Sequence, residues 1–61
     1  MPEVMINLAE GRSLDQKRQL CKEITDVVVR VCDVDPQSVI VSILEVPKQH
    51  KAKGGVLFSE R

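Results

Sequence analysis

The sequence predicts a small α/β (α+β) domain built as a single βαβ unit, and three observations support this fold class. A short apolar segment near the N-terminus is followed by a capped amphipathic helix and then by a longer apolar segment. Two strands joined by one helix of this length form a right-handed crossover with parallel strands. Because the chain has only 61 residues, we expect residues 1–61 to form one domain.

The first strand and the helix follow directly from the N-terminal half. Residues 4–8 are apolar apart from one Asn and end at a Glu-Gly-Arg turn, residues 10–12, as expected of a strand. Ser13 and Gln16 match a capping box, which predicts a helix from about Leu14 to about Cys32. Its apolar side chains recur at helical spacing and predict one stripe against the sheet: Leu20, Ile24, Val27, Val28 and Val31.

The C-terminal half predicts the second strand and a short arm. Asp35-Pro36 marks the end of the helix and a turn. Residues 39–46 form an apolar run that Pro47 ends, and residues 48–53 read as a polar loop. Gly54-Gly55 indicates a turn before residues 56–58, which we expect to form a third strand or a hairpin arm.

The second strand predicts association with other chains. Val39, Val41 and Ile43 alternate with a second apolar set, which contains Ile40, Leu44 and Val46. Both faces of the strand are therefore apolar, and one helix covers only one of them. A domain of this size usually needs a disulfide, a metal or oligomerisation to be stable. We expect a homo-oligomer that buries the second face.

The other stabilising devices and several function classes are excluded by composition. Cys21 and Cys32 lie about 16 Å apart along one helix, too far for a disulfide, so free thiols and a cytoplasmic location are expected. One histidine, His50, does not complete a metal site, and we expect no cofactor. Nine basic residues balance nine acidic ones and there is one aromatic residue, which argues against nucleic-acid binding. No apolar run is long enough to span a membrane.

Pro2 is the strongest candidate for a catalytic residue. A small residue at position two favours removal of the initiator methionine, which would leave Pro2 as an N-terminal secondary amine. An α-amino group has the lowest reference pKa of the ordinary protein amines, about 7.7–8.0, and burial or nearby cations lower it further. The processed Pro2 would therefore suit general acid–base catalysis. While Met1 stays attached, the Pro2 nitrogen is an amide and has no such role.

The chain resembles the 4-oxalocrotonate tautomerase family over essentially all 61 residues. The resemblance is carried by Pro2, by the run of residues 10–18, and by Ser38-Val39, Glu45, His50 and Gly54-Gly55. It implies a βαβ subunit that forms dimers and a hexamer, a trimer of dimers. It also implies an isomerase of the degradation of aromatic compounds, which moves a proton on a small unsaturated 2-keto acid without a cofactor.

The resemblance assigns roles to three positions. The proline nitrogen acts as the general acid–base, here Pro2, and an arginine at the position of Arg12 binds a substrate carboxylate. The backbone amide at the position of Ala9 also contacts the substrate. Arginine suits its role because its planar guanidinium binds a carboxylate through two parallel hydrogen bonds.

Two positions depart from the family pattern. Ile40 stands where family members carry a second arginine, and Lys51 stands where they carry an aromatic wall residue. Ile40 offers a second carboxylate no charge, so we expect monoacid enols to be handled relatively better than diacids such as 2-hydroxymuconate. Lys51 could supply a replacement cation, as could Lys48 or Lys53, or each could be a solvated lysine.

Three functions remain open from the sequence. The first is an active keto–enol tautomerase with Pro2 as base and Arg12 as anchor. The second is a dehalogenase or decarboxylase of the same superfamily, which would also need a carboxylate to activate water. The third is a non-catalytic or partner subunit of a hetero-oligomeric tautomerase, an alternative suggested by Ile40.

Overall fold

The computed structural model describes all 61 residues as a β-α-β unit followed by a small hairpin. The two long strands and the helix between them are β1, α1 and β2, and the hairpin strands are β3 and β4. Their bounds are Glu3–Ala9 for β1, Leu14–Cys32 for α1, Ile40–Val46 for β2, Ala52–Lys53 for β3 and Val56–Leu57 for β4. Single 3-10 turns occupy Pro36–Ser38, Lys48–His50 and Phe58–Glu60.

The two long strands are parallel, which confirms the predicted fold class. Their register pairs Glu3 with Ile40 at one end and Ala9 with Val46 at the other. Backbone hydrogen bonds close both ends of the ladder. The Ile40 N–H donates to the Pro2 carbonyl at 3.0 Å, and the Glu10 N–H donates to the Val46 carbonyl at 3.1 Å.

The predicted helix boundaries are confirmed at both ends. Ser13 is the N-cap: its hydroxyl accepts from the Gln16 N–H at 3.1 Å, and the Gln16 side chain accepts from the Ser13 N–H at 2.9 Å. These two bonds satisfy backbone donors that the first turn leaves without partners. Asp33 ends the helix in a left-handed conformation with φ 54°. Asp35 caps the 3-10 turn that follows.

The predicted apolar stripe of the helix is wrong at two positions. Leu20, Ile24 and Val28 are half-buried as expected, but Val27 is 47% exposed and Val31 is 71% exposed. At 3.6 residues per turn, the half-buried face is centred near Cys21 and Val28, so Val27 lies about 100° away from its centre. Val31 is on this face, but it belongs to the last turn of the helix, where residues 30–32 are all exposed.

The strand predictions need smaller corrections. β1 is one residue longer at each end than the predicted segment, and β2 begins at Ile40 rather than at Val39. The segment predicted as a polar loop, residues 48–53, instead contains a 3-10 turn and strand β3. β3 pairs with β4 through Gly54 and Gly55, whose φ angles of 61° and 82° are those of a primed two-residue hairpin turn.

The isolated chain has no completed core. No residue is fully buried, and the chain exposes 4840 Å², whereas a globular monomer of 6.8 kDa exposes about 4,000 Å². Its radius of gyration is 14.5 Å, against about 10.5 Å for a globular domain of this length. Met5 and Leu44, on the sheet face away from the helix, are 70% and 52% exposed. The prediction that this face has no cover within the chain is confirmed.

None of the helices combines the length and the apolar character needed to cross a membrane.

Candidate active site

The predicted site residues lie at two opposite ends of the sheet. Pro2 immediately precedes β1, and its carbonyl accepts from the Ile40 N–H at 3.0 Å, so Pro2 and Ile40 are neighbours. Ala9 is the last residue of β1, and Arg12 and Lys51 follow the carboxyl ends of β1 and β2. The chain therefore brings Pro2 next to Ile40 at one end of the sheet, and Ala9, Arg12 and Lys51 all lie towards the other end, where Lys51 does not line the groove that holds Arg12.

The length of β1 separates the candidate base from the candidate anchor. Seven residue steps lead from Pro2 to Ala9 along an extended strand, which corresponds to about 23 Å at 3.3 Å per residue. Arg12 lies beyond that strand end, in the turn that leads to the helix. A single chain thus does not place Pro2 and Arg12 on the same small substrate.

The Pro2 end of the sheet is apolar. Pro2 is half-buried, and the Ile40 side chain beside it is 40% exposed on the sheet face that the helix leaves uncovered. Met1 precedes Pro2 and is largely exposed. A substrate that reached Pro2 would meet an apolar wall at Ile40, and no cation follows it on β2 before Val46.

Arg12 lies in an open groove at the opposite end. The groove has a volume of about 200 Å³ and is lined by Leu8, Arg12, Gln16, Lys17 and Leu20. The Lys17 ammonium is bound to the Glu45 carboxylate, whereas Arg12 is exposed and forms no ion pair within the chain. Arg12 is therefore the free cation of this groove and can bind a carboxylate through its planar guanidinium.

The pairing of the strands determines where the Ala9 amide points. In a parallel ladder, alternate residues of a strand direct their N–H and C=O groups to opposite sides. The Pro2 carbonyl and the Glu10 N–H both bond to β2, so even-numbered positions of β1 face β2. Ala9 has the opposite parity, and its N–H points to the edge of β1 that has no neighbouring strand. A substrate oxygen at that edge could accept from it.

Lys51 forms part of a cluster that the sequence did not predict. Its ammonium lies 5.8 Å from the centroid of the Phe58 ring, and the Arg61 guanidinium carbon lies 5.7 Å from the same centroid. Both distances are within the range of a cation–π interaction, about 6 Å. The only available sequence signal was that Phe58 is the single aromatic residue of the chain.

Lys17 and Glu45 are a second pair that the sequence did not single out. They join the first turn of the helix to the carboxyl end of β2 across 28 positions of the chain. Their side chains are only partly exposed, 24% and 37%. The pair fixes the wall of the groove beside Arg12. No cluster of His, Cys, Asp or Glu side chains has the geometry of a metal site.

Comparison with known proteins agrees with this architecture. Residues 2–61 match the family described as "Tautomerase enzyme". A "Probable tautomerase" of Bradyrhizobium diazoefficiens is 43% identical over 61 residues, which cover 100% of this chain and 91% of that protein. The 2-hydroxymuconate tautomerase of Stutzerimonas stutzeri is 42% identical over 55 residues, 90% of this chain and 87% of that protein.

A solved structure shows the same fold. A 4-oxalocrotonate tautomerase of Chloroflexus aurantiacus, described as a heterohexamer, superimposes with a TM-score of 0.92 at 33% identity, covering 98% of this chain and 97% of its own. The family match over nearly the whole chain and the full-length relatives at more than 40% identity lead to one conclusion. This chain belongs to the tautomerase family, and within it to the 4-oxalocrotonate tautomerase group of isomerases.

Proposed function

We propose that the protein moves a proton on a small unsaturated 2-keto acid, with Pro2 as the general acid–base after removal of Met1. The observation that carries this proposal is a proline held at the start of β1, in a member of the tautomerase family, beside an apolar residue. A free proline nitrogen takes a proton from one carbon and returns it to another. The reaction needs no oxidant, reductant or cofactor.

The separation of Pro2 from Arg12 requires an oligomeric site. The two residues are more than about 20 Å apart within one chain, so the base of one subunit must meet the arginine of another. The uncovered apolar sheet face and the open edges of the two-stranded sheet provide surfaces for this association. We propose a homo-oligomer, from a dimer to a hexamer, in which each active site lies between subunits.

Arg12 and Ala9 are proposed to hold the substrate. The Arg12 guanidinium, which has no ion-pair partner within the chain, binds the carboxylate. The Ala9 N–H, at the open edge of β1, donates to a second substrate oxygen. Ile40 forms the apolar wall next to Pro2 and favours monoacid substrates, because a remote carboxylate facing it would lose hydration without gaining a partner.

The test compares two forms of the chain, one beginning at Pro2 and one retaining Met1. Chemical synthesis gives both forms at this length, and intact mass verifies each of them. An enol of an arylpyruvate is a suitable monoacid substrate. We expect the form beginning at Pro2 to be faster by about 10²–10⁴-fold, the usual contribution of a general acid–base. Equal and measurable rates for the two forms would show that Pro2 is not the base.

A second candidate function is a partner subunit in a hetero-oligomeric tautomerase. It is favoured by Ile40, which brings no cation to Pro2, and by the likeness to a heterohexameric relative. A companion chain would then supply the missing charge. The same assay separates the two functions, since a partner subunit purified alone and beginning at Pro2 would not turn over the enol. A cytoplasmic location is consistent with two unpaired cysteines.

A further inference from the structure

Lys51, Phe58 and Arg61 form a compact group that we call the Phe58 cluster. The Lys51 ammonium and the Arg61 guanidinium both lie less than 6 Å from the centre of the Phe58 ring. The Phe58 N–H donates to the Lys51 carbonyl at 2.8 Å, which ties the two backbones together. Lys51 and Phe58 are half-buried, although lysine is usually among the most exposed residues. Both cations therefore lie against the same ring.

The two cations of the Phe58 cluster have no acidic partner. Neither Lys51 nor Arg61 takes part in an ion pair. The ion pairs of the chain are Lys17–Glu45, Arg18–Asp15 and Lys22–Asp26. Glu60, although adjacent to Arg61 in sequence, pairs with neither cation. An anion at the Phe58 ring would therefore be attracted by two positive charges that no carboxylate of the chain neutralises through an ion pair.

The cluster lies at the same edge of the sheet as Arg12. The turn that carries Arg12 begins at Glu10, whose N–H donates to the Val46 carbonyl at 3.1 Å. The Lys48 N–H in turn donates to the Glu10 carboxylate at 3.2 Å. These bonds fix the segment leading to Lys51 against the segment leading to Arg12. Arg12 and the Phe58 cluster thus both follow the carboxyl ends of the two paired strands.

We infer that the Phe58 cluster stabilises the enolate oxygen that forms on the substrate while Arg12 holds its carboxylate. This inference rests on the proposed tautomerase function. When the base removes the proton next to the ketone, the C–H electron pair forms a carbon–carbon double bond and the carbonyl pair moves to oxygen. The negative charge then faces Lys51 and Arg61, and it disappears when the proton returns to carbon. Ile40 has no charge with which to do this.

The expected effect on kcat and KM depends on the step of the reaction at which the enolate charge is present. The enolate forms only on the way to the product, so its stabilisation raises kcat more than it lowers KM. Lys51→Gln and Arg61→Gln should each lower kcat by about 10- to 100-fold, the value of one charged hydrogen bond. Phe58→Leu, which keeps both cations but removes the ring, should lower kcat by less, because Phe58 is a positioning residue. Lys51→Arg should retain more activity than Lys51→Gln.

The matched control is Lys53→Gln. Lys53 is exposed in β3, two residues from Lys51, and has no contact with the Phe58 ring. We expect its kcat to equal that of the parent protein, and Arg12→Gln to act mainly through KM. If Lys51→Gln and Arg61→Gln both keep the parent kcat, or change only the melting temperature, the cluster is a packing feature and the inference is wrong.

A binding measurement separates this inference from the proposed function. Oxalate is planar and carries a carboxylate beside a second pair of oxygens, so it resembles the enolate of a 2-keto acid, whereas acetate has the carboxylate alone. Titration calorimetry should show that Lys51→Gln and Arg61→Gln weaken oxalate binding about tenfold and leave acetate binding unchanged. If the protein proves inactive but oxalate still needs both cations, the proposed function fails and the anion site stands. Oxalate affinity that neither substitution changes would overturn the site itself.

Discussion

Mixing two inactive chains should restore activity, because Pro2 and Arg12 lie at opposite ends of β1. One chain retains Met1 and therefore has no basic nitrogen, and the other begins at Pro2 but carries Arg12→Gln. The first lesion should cost about 10²–10⁴-fold. The second should cost about 10- to 100-fold in kcat/KM, since a charged hydrogen bond to the carboxylate is lost. Each chain alone has low activity, but the first chain still provides Arg12 and the second still provides the basic nitrogen of Pro2.

The expected magnitude follows from counting sites. If every site takes Pro2 from one chain and Arg12 from another, random assembly of equal amounts leaves both groups intact in about one quarter of the sites. The mixture should therefore regain about a quarter of the parent activity. The assay is initial-rate tautomerisation of an arylpyruvate enol after the two chains are unfolded together and refolded.

A reciprocal mixture gives the control. Parent chains beginning at Pro2 are refolded with chains that carry both lesions. Sites shared between chains again retain about one quarter of the parent activity, whereas sites within one chain would retain about one half. A first mixture that shows only the mean of its two components, together with a control that retains half, would refute the argument that the site lies between subunits.

Three further outcomes are expected from single substitutions. Ile40→Arg places a cation beside Pro2 and should raise kcat/KM for 2-hydroxymuconate by about 10- to 100-fold relative to a monoacid enol. If the ratio of the two kcat/KM values is unchanged in steady-state assays, another cation already binds the second carboxylate of the diacid. Leu44→Glu puts a charge on the uncovered sheet face, so sedimentation equilibrium should show a lower mass than the parent's, and an unchanged mass would exclude this face from the interface. Asp33→Gly removes the steric strain of a left-handed backbone at a residue with a side chain, and it removes an acidic charge from a helix C-terminus. It should therefore raise the free energy of unfolding by about 1 kcal/mol in urea titrations, and a lower free energy of unfolding would contradict this.

The local structure was predictable because short-range rules determine it. The capping box of Ser13 and Gln16 and the break before Pro36 set the helix within a residue of the observed bounds. Val27 and Val31 were assigned to the buried stripe because helical spacing alone fixes neither which side of a wide apolar arc meets the sheet nor how far along the helix the contact extends. That choice depends on how the helix rotates against two strands, which is a property of the packed unit.

The site was predictable only in part. The sequence and the family resemblance indicated Pro2, Arg12 and Ala9, but they did not show that β1 holds Pro2 and Arg12 apart. The Phe58 cluster was missed because Phe58 and Arg61 lie seven and ten positions after Lys51, across the glycine turn. Only the folded hairpin brings the three side chains together, and no periodicity in the sequence indicates such a contact.

A chain in which no residue is fully buried has a consequence for how it reaches its active form. The monomer gains too little from its own contacts to remain folded alone, so folding and association should be one process. The rate at which activity returns after unfolding should then rise steeply with chain concentration, with a kinetic order above one. Dilution should reverse the process, and loss of helix signal and loss of turnover should occur together. The amount of enzyme present in a cell would thus decide what fraction of its chains are folded.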